Sequence, residues 1–146
     1  RRALAQNFTA DVISTDLHSS SLEDPVFSLP ETASKLLNLG VPLDVVVRQC
    51  TTAPAESIHR ADELGTLRPG TVADLAAFEV QQGSFEFHDI RDERLVGEQN
   101  LNPVLTVKSG TVYAPDDLAA ERERDRLRAN RMKALSRGDI DTFLKG

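Results

Sequence analysis

Asp11-Val12-Ile13-Ser14-Thr15-Asp16-Leu17-His18 is the stretch on which the fold turns. Apolar and β-branched residues run from Val12 to Thr15 and stop on an acid, the pattern of a short buried strand. Ser19, Ser20, Ser21 and then Asp24-Pro25 are turn-prone, so Asp16 stands where the strand opens into a loop. A helical segment follows. Strand, loop and helix in that order form one βα unit, and in parallel α/β folds the C-terminal ends of strands carry the chemistry. Asp16 is therefore the first candidate for a working residue. The plainer alternative is an acid that only closes a turn.

Downstream, Ser28-Leu29-Pro30-Glu31 has the form of a helix start: a hydroxyl cap, a proline in the first turn, and Glu31 three residues after the cap. Ala33, Leu36 and Leu37 continue at helical spacing, and Gly40 supplies the stop. A second helix is expected from Leu43-Asp44, with Val46, Val47 and Cys50 as its apolar stripe. Thr51-Thr52-Ala53-Pro54 interrupts it, and Pro54 opens a third short helix reaching about His59.

The texture changes at Gly65. From there to Tyr113, short apolar runs alternate with turn signals, which predicts β structure. Pro69-Gly70 is read as a turn, Ala73 to Val80 as a strand, and Gln81 to Ser84 as a turn. Phe85 and Phe87 then alternate with Glu86 and His88. Val104 to Val107, Ser109-Gly110 and Thr111 to Tyr113 predict a hairpin. These strands are too few to close a sandwich, so missing partner strands are expected from chain outside this one. Asp74, beside the Pro69-Gly70 turn, is the kind of acid that bonds turn amides. Ala114-Pro115-Asp116-Asp117 starts a final helix, with its acids suited to a helix N-terminus.

At 146 residues, with 40% hydrophobic and 27% charged residues, the chain has the size and composition of a globular domain. It has no run approaching the roughly eighteen consecutive apolar residues of a membrane span, so no membrane partner is expected. Arg1 to Asn7 lacks the apolar core of a signal peptide and no initiator Met is present, which suggests a start inside a longer gene product. A single cysteine, Cys50, rules out an internal disulfide and suits a reducing, cytoplasmic setting. It lies on an apolar helix side and reads as a buried inert thiol. The net charge is -6, yet residues 121–137 hold seven Lys or Arg against three acids. Alternating charges of that kind read as a solvated helix face, and the acidic remainder argues against a nucleic-acid binder.

Two motifs together resemble the amidohydrolase superfamily. One is Ile13-Ser14-Thr15-Asp16-Leu17-His18. The other is Thr52-Ala53-Pro54-Ala55 followed by Leu64-Gly65-Thr66-Leu67-Arg68-Pro69-Gly70-Thr71-Val72-Ala73-Asp74-Leu75-Ala76-Ala77-Phe78. The second resembles the C-terminal signature in which Ala-Pro-Ala precedes a Gly-x-Leu-x-x-Gly-x-x-Ala-Asp-Leu stretch. The combination is most similar to dihydroorotase-like and D-aminoacylase-like deacetylases, over roughly residues 10–113.

The resemblance implies an α/β fold: the C-terminal fragment of a (β/α)8 TIM barrel, then part of a small β-sandwich domain and a C-terminal helix. Residues 1–64 would end the barrel, 65–113 would belong to the accessory β domain, and 114–146 would form the charged helix. Residues 12–16 would be the eighth strand. In that family the acid ending this strand lies at the metal centre, so Asp16 is implied as metal contact and general base while metal-bound hydroxide attacks a carbonyl. The implied ion is divalent, zinc by resemblance. His18, two residues on, is implied as a substrate contact at the pocket mouth. The remaining family ligands, a His-x-His, a Lys or Glu and two later His, have no counterpart here, and His18, His59 and His88 are not spaced to replace them. His59 and His88 read as a helix-end and a strand-surface residue.

The implied activity is hydrolysis of an amide or ester in a small acylated substrate, by a protein whose upstream chain supplies the rest of the barrel and which can form homo-oligomers. The isolated chain is expected to be inactive and to hold zinc weakly. A non-catalytic helix-plus-β module for stabilisation or oligomerisation is the competing reading. An upstream His-x-His separates the two.

Overall fold

The computed structural model describes residues 2–6, 8–17, 28–89 and 93–114. His18 and the expected C-terminal helix lie outside the described residues. Among the described residues a short 3-10 turn (Leu4–Gln6) is followed by three α-helices: α1 (Leu29–Asn38), α2 (Leu43–Cys50) and α3 (Thr52–Ser57). A three-stranded antiparallel sheet follows, in the order β1 (Leu75–His88), β2 (Arg94–Lys108) and β3 (Thr111–Tyr113).

The helix ends follow local chemistry. Ser28 Oγ accepts the Glu31 amide at 3.2 Å, as the capping pattern predicts, and Pro30 stands in the first turn. Glu31 and Lys35 pair at 2.9 Å one turn apart. At the far end Gly40 takes φ +92, its amide bonds the Leu37 carbonyl, and the Val41 amide bonds that of Leu36. Both bonds belong to a Schellman stop, which needs a left-handed residue where Gly40 stands. α3 closes the same way with His59 at φ +56, so His59 is a helix-end residue as expected. In α2 the core-facing stripe is Val46, Gln49 and Cys50, while Val47 is half exposed and does not join it.

β1 is longer than its sequence suggests. It pairs with β2 from Leu75 opposite Val107 to His88 opposite Arg94, straight through the turn expected at Gln81 to Ser84. Gly83 and Ser84 instead form an irregularity, lying between Gln82 opposite Gln99 and Phe85 opposite Gly97. The chain reverses later, where the Asp89 amide bonds the Glu93 carbonyl and Asp89 Oδ1 accepts the Glu93 amide at 2.9 Å. A second register shift leaves Val104 outside the pairing and puts Pro103 beside it, a position that tolerates the missing N–H. The hairpin joining β2 to β3 forms as expected, with Ser109 and Gly110 both at positive φ. One sheet is present among the described residues.

Helices and sheet join through a small apolar core and a polar clamp. Ile13, Ala33, Leu37, Val41, Val46 and Leu101 form one buried cluster, which brings the Asp16 segment, two helices and β2 together. Beside it, Asn38 occupies the edge of β2 like a short extra strand. Its Nδ2 donates to the Gln99 carbonyl at 2.7 Å, and its Oδ1 accepts the Glu98 and Gln99 amides at 2.8 and 3.0 Å. Fully buried Ser34 adds an acceptor for the Leu101 amide at 2.9 Å. A β-carbon on Gly97 would run into the Asn38 carboxamide, so only glycine admits this clamp.

The motif around Gly65 has its own local reasons. Gly65 has φ +72, and a β-carbon there would lie 2.5 Å from the Thr51 carbonyl oxygen at the start of α3. Asp74 ties the other end: Oδ1 accepts the Ser109 amide at 2.7 Å and Oδ2 bonds Lys108. It thus holds the β2–β3 turn, the structural role read for it in the sequence. Lys108 first, and then the Ser109 amide, hold its carboxyl below the ordinary carboxylate range. A lowered folded value makes this contribution fully present above the ordinary value of about 4 and lost as pH falls through the lower folded one. The Ser109 amide is therefore expected to lose exchange protection in acid below about pH 4. In Asp74→Asn, which keeps one acceptor but loses the charge, that acid limb should vanish from an NMR pH titration. An unchanged limb in the variant would assign it to another group.

Candidate functional site

The segment carrying Asp16 makes no sheet ladder among the described residues. The strand expected at residues 12–16 is not formed, because among the described residues no neighbouring strand pairs with it. What holds it instead is α2. The Ile13 amide donates to the Gln49 carbonyl at 3.0 Å, and the Gln49 side-chain amide donates to the Ala10 carbonyl. The final carbonyls of a helix lack intrahelical partners, which leaves the Gln49 oxygen available to this segment. Ile13 also buries its side chain in the core.

Three residues later the chain turns out of that grip. Asp16 is exposed and adopts φ +50, in the left-handed region that Asp tolerates better than most residues. The Asp16 amide donates to Ser14 Oγ at 3.4 Å and the Leu17 amide to Thr15 Oγ1 at 3.3 Å, two side-chain-closed turns in succession. The result is an accessible carboxylate just past an anchored backbone. As a hard oxygen donor it suits a divalent cation, and as a carboxylate it can take up a proton.

Among the described residues no three His, Cys, Asp or Glu gather as a metal cluster. His88 is a surface residue of β1, as read from the sequence, with Nε2 at 2.8 Å from Glu86. Arg94 first, and His88 after it, keep the Glu86 carboxyl below its ordinary value. Cys50 packs half-buried against the core, and burial pushes its thiol up, so it is a weak nucleophile. The residues that organise this region and that the sequence alone did not flag are Gln49 and Asn38. Gln49 carried one signal: it is a polar residue inside the buried phase of α2.

With this geometry in place, comparison with known proteins decides the family. Residues 1–113 match the amidohydrolase family. The chain belongs to that family. A deacetylase of Enterococcus faecalis is 32% identical over 112 residues, covering 76% of this chain and 30% of that protein. A deacetylase of Agrobacterium fabrum is 38% identical over 87 residues, which are 60% of this chain and 21% of that protein. Among solved structures, an adenine deaminase superposes with a TM-score of 0.72 and a dihydroorotase with 0.69. Each is 32% identical, with 77% of this amidohydrolase chain and 30% of the other chain covered. The chain thus spans less than a third of the length of these relatives, and its mixed helical and antiparallel-sheet structure is similar to the two solved structures.

Proposed function

We propose that the full-length protein is a metal-dependent hydrolase that removes a small acyl group, such as acetyl, from an amide or ester. The observation that carries this reading is the exposed Asp16 carboxylate, set beyond a backbone pinned to α2 in a chain of the amidohydrolase family. On this reading residues 12–16 are the last strand of a (β/α)8 barrel and residues 1–64 close that barrel. Residues 65–113 belong to a composite β-sandwich domain, and 114–146 form a charged helix. The deacetylase relatives support the acyl-transfer chemistry.

A carboxylate fits one position of a divalent ion's ligand set, and zinc is the ion the resemblance favours. Catalytic zinc takes about three protein ligands, so the upstream chain supplies the others. When bound, such an ion contributes Lewis acidity that lets water lose a proton near neutral pH. Asp16 accepts that proton as the carbonyl is attacked and returns it to the departing amine or alcohol. His18, two residues beyond, meets the substrate at the pocket mouth. The net charge of -6 argues against a nucleic-acid partner. The protein works on its small acylated substrate in the cytoplasm, as a single chain or a homo-oligomer.

The test uses the purified full-length protein and acetate release from N-acetyl amino acids and acetyl esters. Removal of metal by a chelator is expected to abolish turnover, and added zinc to restore it. Undiminished turnover at a metal content far below one ion per chain would overturn the reading.

A further inference from the structure

Gln49 stands out among the groups that the proposed chemistry does not use. It is 5% exposed, polar, and placed on the core side of α2, where an apolar residue would ordinarily sit. Burying a carboxamide is unfavourable unless its polar atoms are bonded. Here the side-chain amide bonds the Ala10 carbonyl while the main-chain carbonyl of the same residue bonds the Ile13 amide. One residue thus grips both ends of the segment 10–13, and Asp16 projects three residues beyond the second grip. After Ile13, the bonds among the described residues are short-range: the hydroxyls of Ser14 and Thr15 accept the amides of Asp16 and Leu17, both on exposed contacts.

We infer that Gln49 is a positioning residue for Asp16: its two hydrogen bonds to segment 10–13 set where the backbone that carries the carboxylate leaves the edge of α2. The inference rests on the proposed proton-accepting role of Asp16. Catalytic geometry is sensitive to such support, because a displacement of about 1 Å can cost on the order of a hundredfold in rate. The main-chain bond from Ile13 survives any substitution at position 49, so side-chain removal should loosen the segment without releasing it.

The experiment compares Gln49→Leu, Gln49→Met, Asp16→Asn and the two doubles with Asp16→Asn in the full-length metal-loaded protein, using N-acetyl amino acids. Each single change at Gln49 is expected to lower kcat by about tenfold to a hundredfold with KM little changed. In the Asp16→Asn background neither should lower kcat further, because the group being positioned is gone. A purely structural residue would instead reduce both backgrounds by the same factor, and that result would overturn the inference. So would wild-type kcat in both Gln49 variants while Asp16→Asn is inactive, an outcome that leaves the role of Asp16 standing. Active Asp16→Asn would overturn both. Amide exchange on the wild-type protein gives an answer even if the variants misfold: the Ile13 amide should be protected, and exchange at the rate of an unstructured peptide would overturn the grip itself.

Discussion

Asp16→Asn in the full-length amidohydrolase is expected to lower kcat by about 10²–10⁴-fold, the usual worth of general acid–base catalysis. The substitution preserves size and shape and removes the capacity to accept a proton. It also preserves the backbone, since Asn tolerates the φ of +50 found at this position as readily as Asp does. Asp16 is exposed and its side chain adds nothing to the buried cluster, so the melting temperature should hardly move. On the proposed reading the other ligands come from the upstream chain, so metal should bind more weakly yet remain. The loss should fall mainly on kcat, as for an interaction made in the transition state. Steady-state kinetics with metal content measured on the same samples checks this. Near wild-type turnover with metal bound would show that the carboxylate is a turn residue and no more.

Asn38→Ala is expected to have the largest effect on stability, a loss of about 2–4 kcal/mol with a matching fall in melting temperature. The reason is the number of partners it strands. Two amides and one carbonyl of β2 lose their only described partner at that edge, and the Ser34 carbonyl, 2.8 Å from Nδ2, loses a donor. Each polar group left unsatisfied costs about 1–3 kcal/mol when buried, and less where water reaches it, as beside exposed Glu98. Arg48→Ala is the contrast. Its pairing with Glu56 is exposed on both sides, so its loss should change stability by less than about 0.5 kcal/mol. Thermal melting of both variants, with amide exchange at Glu98 and Gln99, makes the comparison. Equal melting temperatures for Asn38→Ala and wild type would mean that the apolar cluster alone holds the helices to the sheet.

The effects separate by distance along the chain. Helix starts and stops were legible because they depend on residues within one turn. The hydroxyl of Ser28, the left-handed Gly40 and the Ser109-Gly110 reversal all act on their immediate neighbours. Asp74 was legible as an acid that bonds turn amides, but the turn it bonds, at Ser109, lies 35 residues along the chain and was not. The family itself was legible because its two motifs carry such local constraints in a fixed order, with Asp16 ending the first and Gly65 opening the second.

Other features required tertiary structure. Gln81 to Ser84 has the composition of a turn, but residues 94 to 101 offer a partner strand, and pairing along its whole length converts the turn into an irregularity. That partner was hidden because Glu98, Gln99 and Asn100 have little strand preference of their own. Asn38 and Gly97 lie 59 positions apart and read as unremarkable singly; together they make the clamp that holds β2 against α1. The same holds at the candidate site. The run from Val12 to Asp16 announces a strand end, whereas its anchoring depends on Gln49, more than thirty residues away. Sequence by itself determined the caps, the Ser109-Gly110 reversal and the turn that presents the candidate acid, because those interactions close within a few residues. Tertiary structure alone decided which polar side chains bridge the elements, because a hydrogen bond between distant residues leaves no periodicity at either end.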